Sequence, residues 1–306
     1  MAKPIITVYT PTYNRAYILS QCYESLKRQT CQDFIWLIVD DGSEDHTDEL
    51  VNGWIAENII DIRYHKQENM GMHGAHNTAH RLLDTELGIC CDSDDYLTDD
   101  CIEKIVNLWK EKGGVGYAGI AGMSADRHDH VWAKVPENLS ETTAYDLRYR
   151  HGFRGDHKFI FRSDLLKREP YPIFEGEKYA SLGYKYCKIS KDLKMLILNQ
   201  IIYRQEYLDD GETKNKMKRY VTAPKGYMVY RREMMPLMHN MREKWWQATH
   251  YVSSAIFAKE KHFIKLSGSP WVTVFAIPSG IALNLYIRCK YWRAEAEKKR
   301  LGEKTE

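Results

Sequence analysis

The sequence predicts an α/β chain with a Rossmann-like, mainly parallel sheet flanked by helices, followed by a helical C-terminal extension. Three observations predict it. From Ile5 to about Met123, short β-branched or apolar runs alternate with amphipathic stretches, the rhythm of βαβ units. Acidic turns close two of those runs, and strand ends in an open α/β sheet are where ligands bind. From Pro224 to Lys261 the chain reads as one or two helices rich in Met, Trp and Tyr.

The elements follow in order. Strands are predicted over 5–9, 34–39, 62–65, 87–91 and 116–122, with helices over 17–28, 47–57, 73–83 and 101–110. Ile18, Cys22 and Leu26 share one helical face; Ile102, Ile105, Val106 and Trp109 share another. Asn14 stands ahead of the first helix and Ser43 to His46 lead into the second, both as capping chemistry. Past Met123 the rhythm breaks, and 124–130 reads as a long loop or hairpin reaching over a site.

Bulk properties exclude several classes. A chain of 306 residues, 28% charged and 43% apolar, can bury a full core and is not compositionally disordered. Its net charge of +2 lacks the basic excess of a general nucleic-acid binder. Seven cysteines, an odd number without CxxC or paired Cys/His spacing, point to a reducing cytosol rather than disulfides or zinc. The start, Met1 to Thr7, has no apolar signal-peptide core, so a cytoplasmic location at the inner face of the cell membrane is expected.

One late segment is uncharged throughout, from Trp271 to Ile287, and is followed by Arg288, Lys290, Arg293, Lys298, Lys299 and Arg300. Pro278-Ser-Gly interrupts it, which argues against a spanning helix of about 20 residues. Two readings stand: peripheral, in-plane membrane contact, favoured by the basic tail and aromatic flanks, or short helices packed in protein.

The strongest chemical signal is Cys91-Asp92-Ser93-Asp94-Asp95-Tyr96, three carboxylates crowded directly after a predicted strand. Hard oxygen donors at a strand end suit Mg2+ or Mn2+ against a diphosphate. The alternative is a solvated turn, since Asp99 and Asp100 also precede a helix. A second acidic turn, Asp40-Asp41-Gly42-Ser43, could accept a hydrogen bond from a base N–H. Thr10 to Arg15 offers hydroxyls and a ring to pack around a nucleobase, and the glycines of Asn69 to Asn77 suggest close backbone approach to a ligand. His73, His76 and His80, taken one by one, read as surface or helix-face residues rather than ligands.

Together TPTYNR, VDDGSEDHT, ENMGMHGAHN and CDSDDYL resemble glycosyltransferase family 2 in order and spacing, over about the first third of the chain. The resemblance implies a GT-A fold, a nucleoside diphosphate sugar donor, an Asp-x-Asp site for Mn2+ or Mg2+ and inversion at the anomeric carbon. It implies that Pro11, Thr12 and Tyr13 line the base pocket, that Asp41 hydrogen-bonds uracil, and that Asn69, Gly71, His76, Asp92 and Ser93 bind the donor. Asp92 and Asp94 match the metal pair, with Asp95 as an alternate ligand. Where many relatives have Ala-Arg-Asn this chain has Ala75-His76-Asn77, so His76, neutral or protonated, takes that arginine's place.

In the second half, Phe159 to Arg162, Phe174 to Tyr179 and Tyr207 to Gly211 are similar to a branch found in capsule and cell-surface polysaccharide assembly. An inverting transferase needs a carboxylate to take the acceptor proton. Glu177 is the candidate and Glu175 the alternative, either of which could instead be a surface or capping glutamate. Asp156 is a further acidic residue for acceptor or donor sugar. The expected division is a nucleotide-sugar-binding and catalytic domain over 1–223 and a helical region over 224–306. The expected reaction is transfer from a UDP-sugar to a lipid-linked or polysaccharide acceptor. A nucleotidyltransferase is the next reading, but the Gly-rich, Lys/Arg-bearing loop is missing; a dehydrogenase lacks its GxGxxG. A carbohydrate-binding scaffold without catalysis is the third.

Overall fold

The computed structural model describes residues 3–131, 135–151, 157–205 and 216–302. They form two compact units, one of residues 1–171 with 185–208, the other of 172–184 with 209–306.

The first unit opens with β1 (Ile6–Thr12), α1 (Ala16–Lys27), β2 (Phe34–Asp40), α2 (Thr47–Glu57), β3 (Asp61–Lys66), α3 (Met72–Leu82) and β4 (Leu87–Cys90). It continues through β5 (Tyr96–Leu97), α4 (Cys101–Lys112), β6 (Tyr117–Asp126), β7 (Glu141–Thr142), α5 (Ala144–Tyr149), β8 (His157–Arg162), α6 (Ser163–Arg168), α7 (Gly183–Ile189) and β9 (Lys194–Gln205). The strands order as β3-β2-β1-β4-β8-β6-β9-β5, with β7 beside β9. The first four are mutually parallel, whereas β8 runs antiparallel to both β4 and β6.

Period-2 alternation builds two cores on the two sheet faces. Ile6, Val8, Trp36 and Ile38 face α1, α2 and α4, where Tyr23, Trp36 and Trp54 stack with ring centroids 4.4–6.0 Å apart. Tyr9, Leu37 and Val39 face the other way onto Ala75 and Ala79 of α3. Every residue of β2 is buried, as fits a strand covered on both faces. By contrast β3 is an edge, and its exposed positions carry Asp61, Arg63 and Lys66, which discourage pairing with another chain.

Two local expectations change. Residues 124–126 are not loop but the last part of β6, paired to Tyr203–Gln205. Neither Asn14 nor Ser43 caps a helix through its side chain. Asn14 instead bridges two loops, its N–H donating to Ser43 Oγ and its Oδ1 accepting from Glu44 N–H. Asp45 satisfies the start of α1 from outside, accepting from Ala16 N–H at 3.0 Å.

In the second unit the helices are α8 (Lys216–Thr222), α9 (Pro224–Met234), a short 3-10 turn (Met235–Leu237), α10 (Met241–Ala258), α11 (Phe263–Leu266), α12 (Pro270–Phe275) and α13 (Ile277–Gly302). Asn240 starts α10, its side chain accepting from Glu243 N–H, and Lys259 ends it in the left-handed region. Met228, Met235, Ala248, Tyr251, Ala255, Val272 and Ala276 form the core between α9, α10 and α12. Residues 172–184 and α8 cluster with this unit rather than with the sheet, because α8 packs on α9, α10 and α13. The division at 223/224 expected from sequence therefore differs from the compact units. No described helix is long and apolar enough to cross a membrane.

Candidate active site

The parallel ladder brings the C-terminal ends of β1, β2 and β4 to one edge. Thr12 lies opposite Asp40, and Tyr9 opposite Cys90. Backbone bonds extend the ladder one residue further, from Asp41 N–H to Thr12 O and from Cys91 N–H to Tyr9 O, both 2.9 Å. The loops carrying TPTYNR, DDGS and CDSDD therefore leave the sheet side by side.

At the first two loops Pro11 is half-buried, Thr12 is buried and Tyr13 is 45% exposed. The Thr12 hydroxyl is buried without a hydrogen-bond partner, unusual enough in a folded protein to suggest a group waiting for a ligand. Asp40 and Asp41 divide the work. Asp40 closes the turn, accepting from Ser43 N–H and the Tyr64 hydroxyl. Asp41 reaches the other way, its Oδ1 accepting from Met70 N–H at 2.9 Å and Gln67 Nε2 at 2.7 Å. That contact draws in the third segment, where Asn69 Oδ1 accepts from Gly71 N–H. Gly42 has φ +84°, and a Cβ there would stand 3.1 Å from Asn69 N, so the turn and the Asn69 backbone need the glycine.

The fourth segment holds the charge. Ser93 and Asp95 are buried, and Asp94 is half-buried. Asp92 keeps 48% of its side-chain surface exposed, with Lys158 Nζ 3.2 Å from its Oδ2. The Tyr203 hydroxyl accepts from Asp92 N–H at 3.0 Å and lies 2.8 Å from Asp95 Oδ2 and 3.2 Å from Asp92 Oδ2, so its one proton serves two carboxylates. Lys158 also lies 3.7 Å from the centroid of the Tyr203 ring.

Burial opposes ionisation of Asp92, yet the charges of Lys158 and His76 and hydrogen bonds from Cys90 and Lys158 prevail and hold its carboxyl down at about 2. Burial likewise disfavours the Lys158 ammonium, but Asp92 and its neighbours push it above the ordinary lysine range. His76 behaves oppositely: burial lowers its ring to about 4 against the pull of Asp92, leaving it neutral near pH 7. Its ring sits edge-on to Tyr9 at 5.7 Å, and one ring nitrogen lies within 4.8 Å of both Cys90 Sγ and an Asp92 oxygen. Its Nδ1 is buried without a partner.

Among the described residues one group brings three side chains able to ligate a metal within 4.8 Å of one another, and it is His76, Cys90 and Asp92 rather than the three aspartates of this loop.

Lys158 and Tyr203 were not singled out by the sequence. A signal existed for the first: in His157-Lys-Phe-Ile-Phe-Arg162 the lysine is in phase with buried Ile160, and a charge on a strand's buried face calls for a partner. Tyr203 gave none, as a tyrosine on a buried strand reads as core. Two concave pockets elsewhere on this unit, one lined by Thr7, Arg63 and Asp84, the other by Asn77, Arg81 and Lys185, contain none of the site aspartates.

The predicted base belongs to the second unit. Phe174 to Glu177 is a tight turn with Gly176 at φ +77°, closed by Glu177 N–H to Phe174 O. Glu177 is buried and caps α9, accepting from Lys225 N–H at 3.0 Å and Gly226 N–H at 2.9 Å. Glu175 is exposed. Asp156 and 207–211 lie outside the described residues.

Residues 7–175 match the model of glycosyl transferase family 2. The chain belongs to that family. Relatives include an Escherichia coli chondroitin synthase, 30% identical over 128 residues, which cover 42% of this chain and 18% of that protein. Another is the Campylobacter jejuni GalNAc(5)-diNAcBac-PP-undecaprenol beta-1,3-glucosyltransferase, 23% identical over 84% of this chain and 83% of that one. The chain thus spans less than a fifth of the chondroitin synthase and most of the glucosyltransferase. Among solved structures, S. aureus TarS 1-349 in complex with UDP-GlcNAc superposes with a TM-score of 0.64 at 16% identity, covering 94% and 92% of the two chains. The Pyrobaculum calidifontis mannosyltransferase PcManGT, in complex with GDP-Man and Mn2+, gives 0.54 at 18% identity over 95% and 84%. The fold of this family 2 glycosyltransferase is GT-A, with the sheet parallel across β3-β2-β1-β4 and mixed beyond.

Proposed function

We propose that the protein is an inverting glycosyltransferase that moves a sugar from a UDP-sugar to a hydroxyl of a lipid-linked or polysaccharide acceptor in the cytoplasm. The observation that carries this is the convergence of three loops on one sheet edge, with an orphaned Thr12 hydroxyl, Asp41 and the Asp92–Asp95 cluster side by side. The TarS complex with UDP-GlcNAc and the PcManGT complex with Mn2+ support the donor class and the metal.

In this reading Pro11, Thr12 and Tyr13 line the base pocket, and Asp41 accepts from the uracil N–H. A carboxylate has about four lone-pair sites, so the bonds from Met70 and Gln67 fix Asp41's orientation without exhausting it. The backbone at Asn69, Gly71 and Ser93 approaches the donor closely. His76, neutral, offers a hydrogen bond and adds no charge. Asp92 and Asp94, with Asp95 behind them, would hold Mn2+ or Mg2+, which supplies charge neutralisation at the departing diphosphate. Lys158 keeps Asp92 ionised and in place, and Tyr203 holds Asp95 through its hydroxyl hydrogen bond. The acceptor oxygen bonds to the anomeric carbon as the bond to the diphosphate oxygen breaks, and the acceptor proton passes to a carboxylate; Glu177, expected as that base, has both oxygens taken up by α9 N–H groups and serves as the helix cap that was its alternative reading.

Asp94→Ala should cut UDP release from the matched UDP-sugar, assayed with Mn2+, by at least about a hundredfold, while the thermal midpoint moves little. Calorimetry that finds no binding of any nucleoside diphosphate, with or without metal, would overturn the proposal.

A further inference from the structure

The C-terminal unit carries a surface that glycosyl transfer does not use. Along α12 and α13 the inward positions Val272, Thr273, Ala276, Gly280, Asn284 and Ile287 recur at spacings of one, three or four. They pack on α10 and its neighbours. Thr249 Oγ1 bonds Ser279 Oγ at 2.9 Å, Asn284 Nδ2 donates to Ser253 O at 3.1 Å, and a Cβ on Gly280 would lie 2.5 Å from Val252. The opposite line is apolar and open to solvent: Trp271 is 81% exposed, Phe275 77% and Trp292 61%, with Ile281, Leu285 and Tyr286 between them.

We propose that this line docks the protein on the surface of an anionic lipid bilayer, with α12 and α13 lying in the plane of the interface. The stripe runs about 30 Å at helical rise, continuous across the short break between the two helices. Soluble surfaces seldom expose so long a row of large apolar side chains without a partner. Its ends carry Trp271 and Trp292, the residue type that settles at the boundary between headgroups and acyl chains. Charge selects the partner. From Arg288 to Arg300 the sequence has six basic residues against two acidic ones, and Lys290 and Arg293 are exposed beside the stripe. Anionic headgroups complement that end, as a neutral apolar groove does not. The polar inner face, bonded to α10, makes these helices lie on the bilayer rather than pass through it.

The stripe lies wholly in the C-terminal unit and does not depend on the transferase reading, so vesicle binding tests it separately from turnover. The full chain is mixed with vesicles of phosphatidylcholine, or of equal parts phosphatidylcholine and phosphatidylglycerol, and floated on a density gradient. The wild type should float with the anionic vesicles and much less with the neutral ones. Trp271→Ser combined with Phe275→Ser should weaken partition by at least about tenfold. Ile281→Ser combined with Leu285→Ser gives an independent check. Lys290→Glu combined with Arg293→Glu should lower binding to anionic vesicles by at least about twentyfold and leave the weak neutral binding unchanged. All six side chains are exposed, and far-ultraviolet circular dichroism confirms folding. A wild type that stays unbound with both vesicles, or serine variants that float like it, overturns the proposal. So does a wild-type dimer in sedimentation that the serine variants dissociate, which would assign the stripe to a second copy.

Discussion

His76 is held neutral beside a carboxylate by its burial, and this makes the protein's stability depend on pH. The folded ring titrates at about 4 and the free ring near 6.5. As pH falls, the unfolded chain takes its proton first, so the stabilisation is complete above pH 6.5 and is lost progressively towards pH 4. The size is about 3 kcal/mol for the ring alone. His80, buried nearby and shifted in the same direction by burial and by Lys185, adds to the decline. Urea unfolding at stepped pH should therefore show a shallower loss of stability for His76→Gln than for wild type between those limits. Identical slopes would mean that His76 is not the titrating group. At this scale the sequence was informative about identity and silent about state. Asp41 and Asp92 stood out in the sequence because carboxylates follow predicted strands, and the structure places them just past the ends of β2 and β4, but the neutrality of His76 depends on Tyr9 and the α3 packing that enclose it. Lys158 and Tyr203 come from β8 and β9, remote in sequence from Asp92, and only the fold brings them to it.

The parallel strands of the first unit were legible to within three residues because apolar or β-branched runs mark them, continuous in β1, β2 and β4 where both faces are buried, and α2 begins and ends where its apolar spacing does. The strand β6 ran past its expected end, since polar Ser124 and Asp126 read as loop, yet pairing with β9 satisfies their backbone. One glycine sets how closely β6 approaches β8. Gly119 has φ +151°, and a Cβ there would lie 1.9 Å from Ile160 O. Gly119→Ala must push β6 from β8, with a cost of about 3 kcal/mol or more. Because β8 carries Lys158, the same change should also reduce turnover beyond the fraction unfolded, measured by comparing activity with the folded population in denaturant. A variant as stable as wild type would refute the clash.

For the whole molecule, two units with separate cores predict two unfolding steps. Only the unit with the sheet carries the loops assigned to the donor, so UDP with Mn2+ should raise one transition and leave the other in place. At a hundredfold excess over Kd the stabilisation is about 2.7 kcal/mol, readable by scanning calorimetry. A uniform shift of both steps would show that the units unfold together. The sequence reading divides the chain at 223/224, whereas the compact units group 172–184 with 209–306, a tertiary fact with no local pattern. Cysteine placement has a practical consequence. Five of the seven thiols are buried and Cys31 is half-buried, while Cys289 alone is exposed, on the same helical line as Tyr286 and Trp292. A maleimide dye applied to the native, unmutated protein will mark chiefly that position, so the chain comes with its own reporter of how deeply α13 sits in whatever it touches.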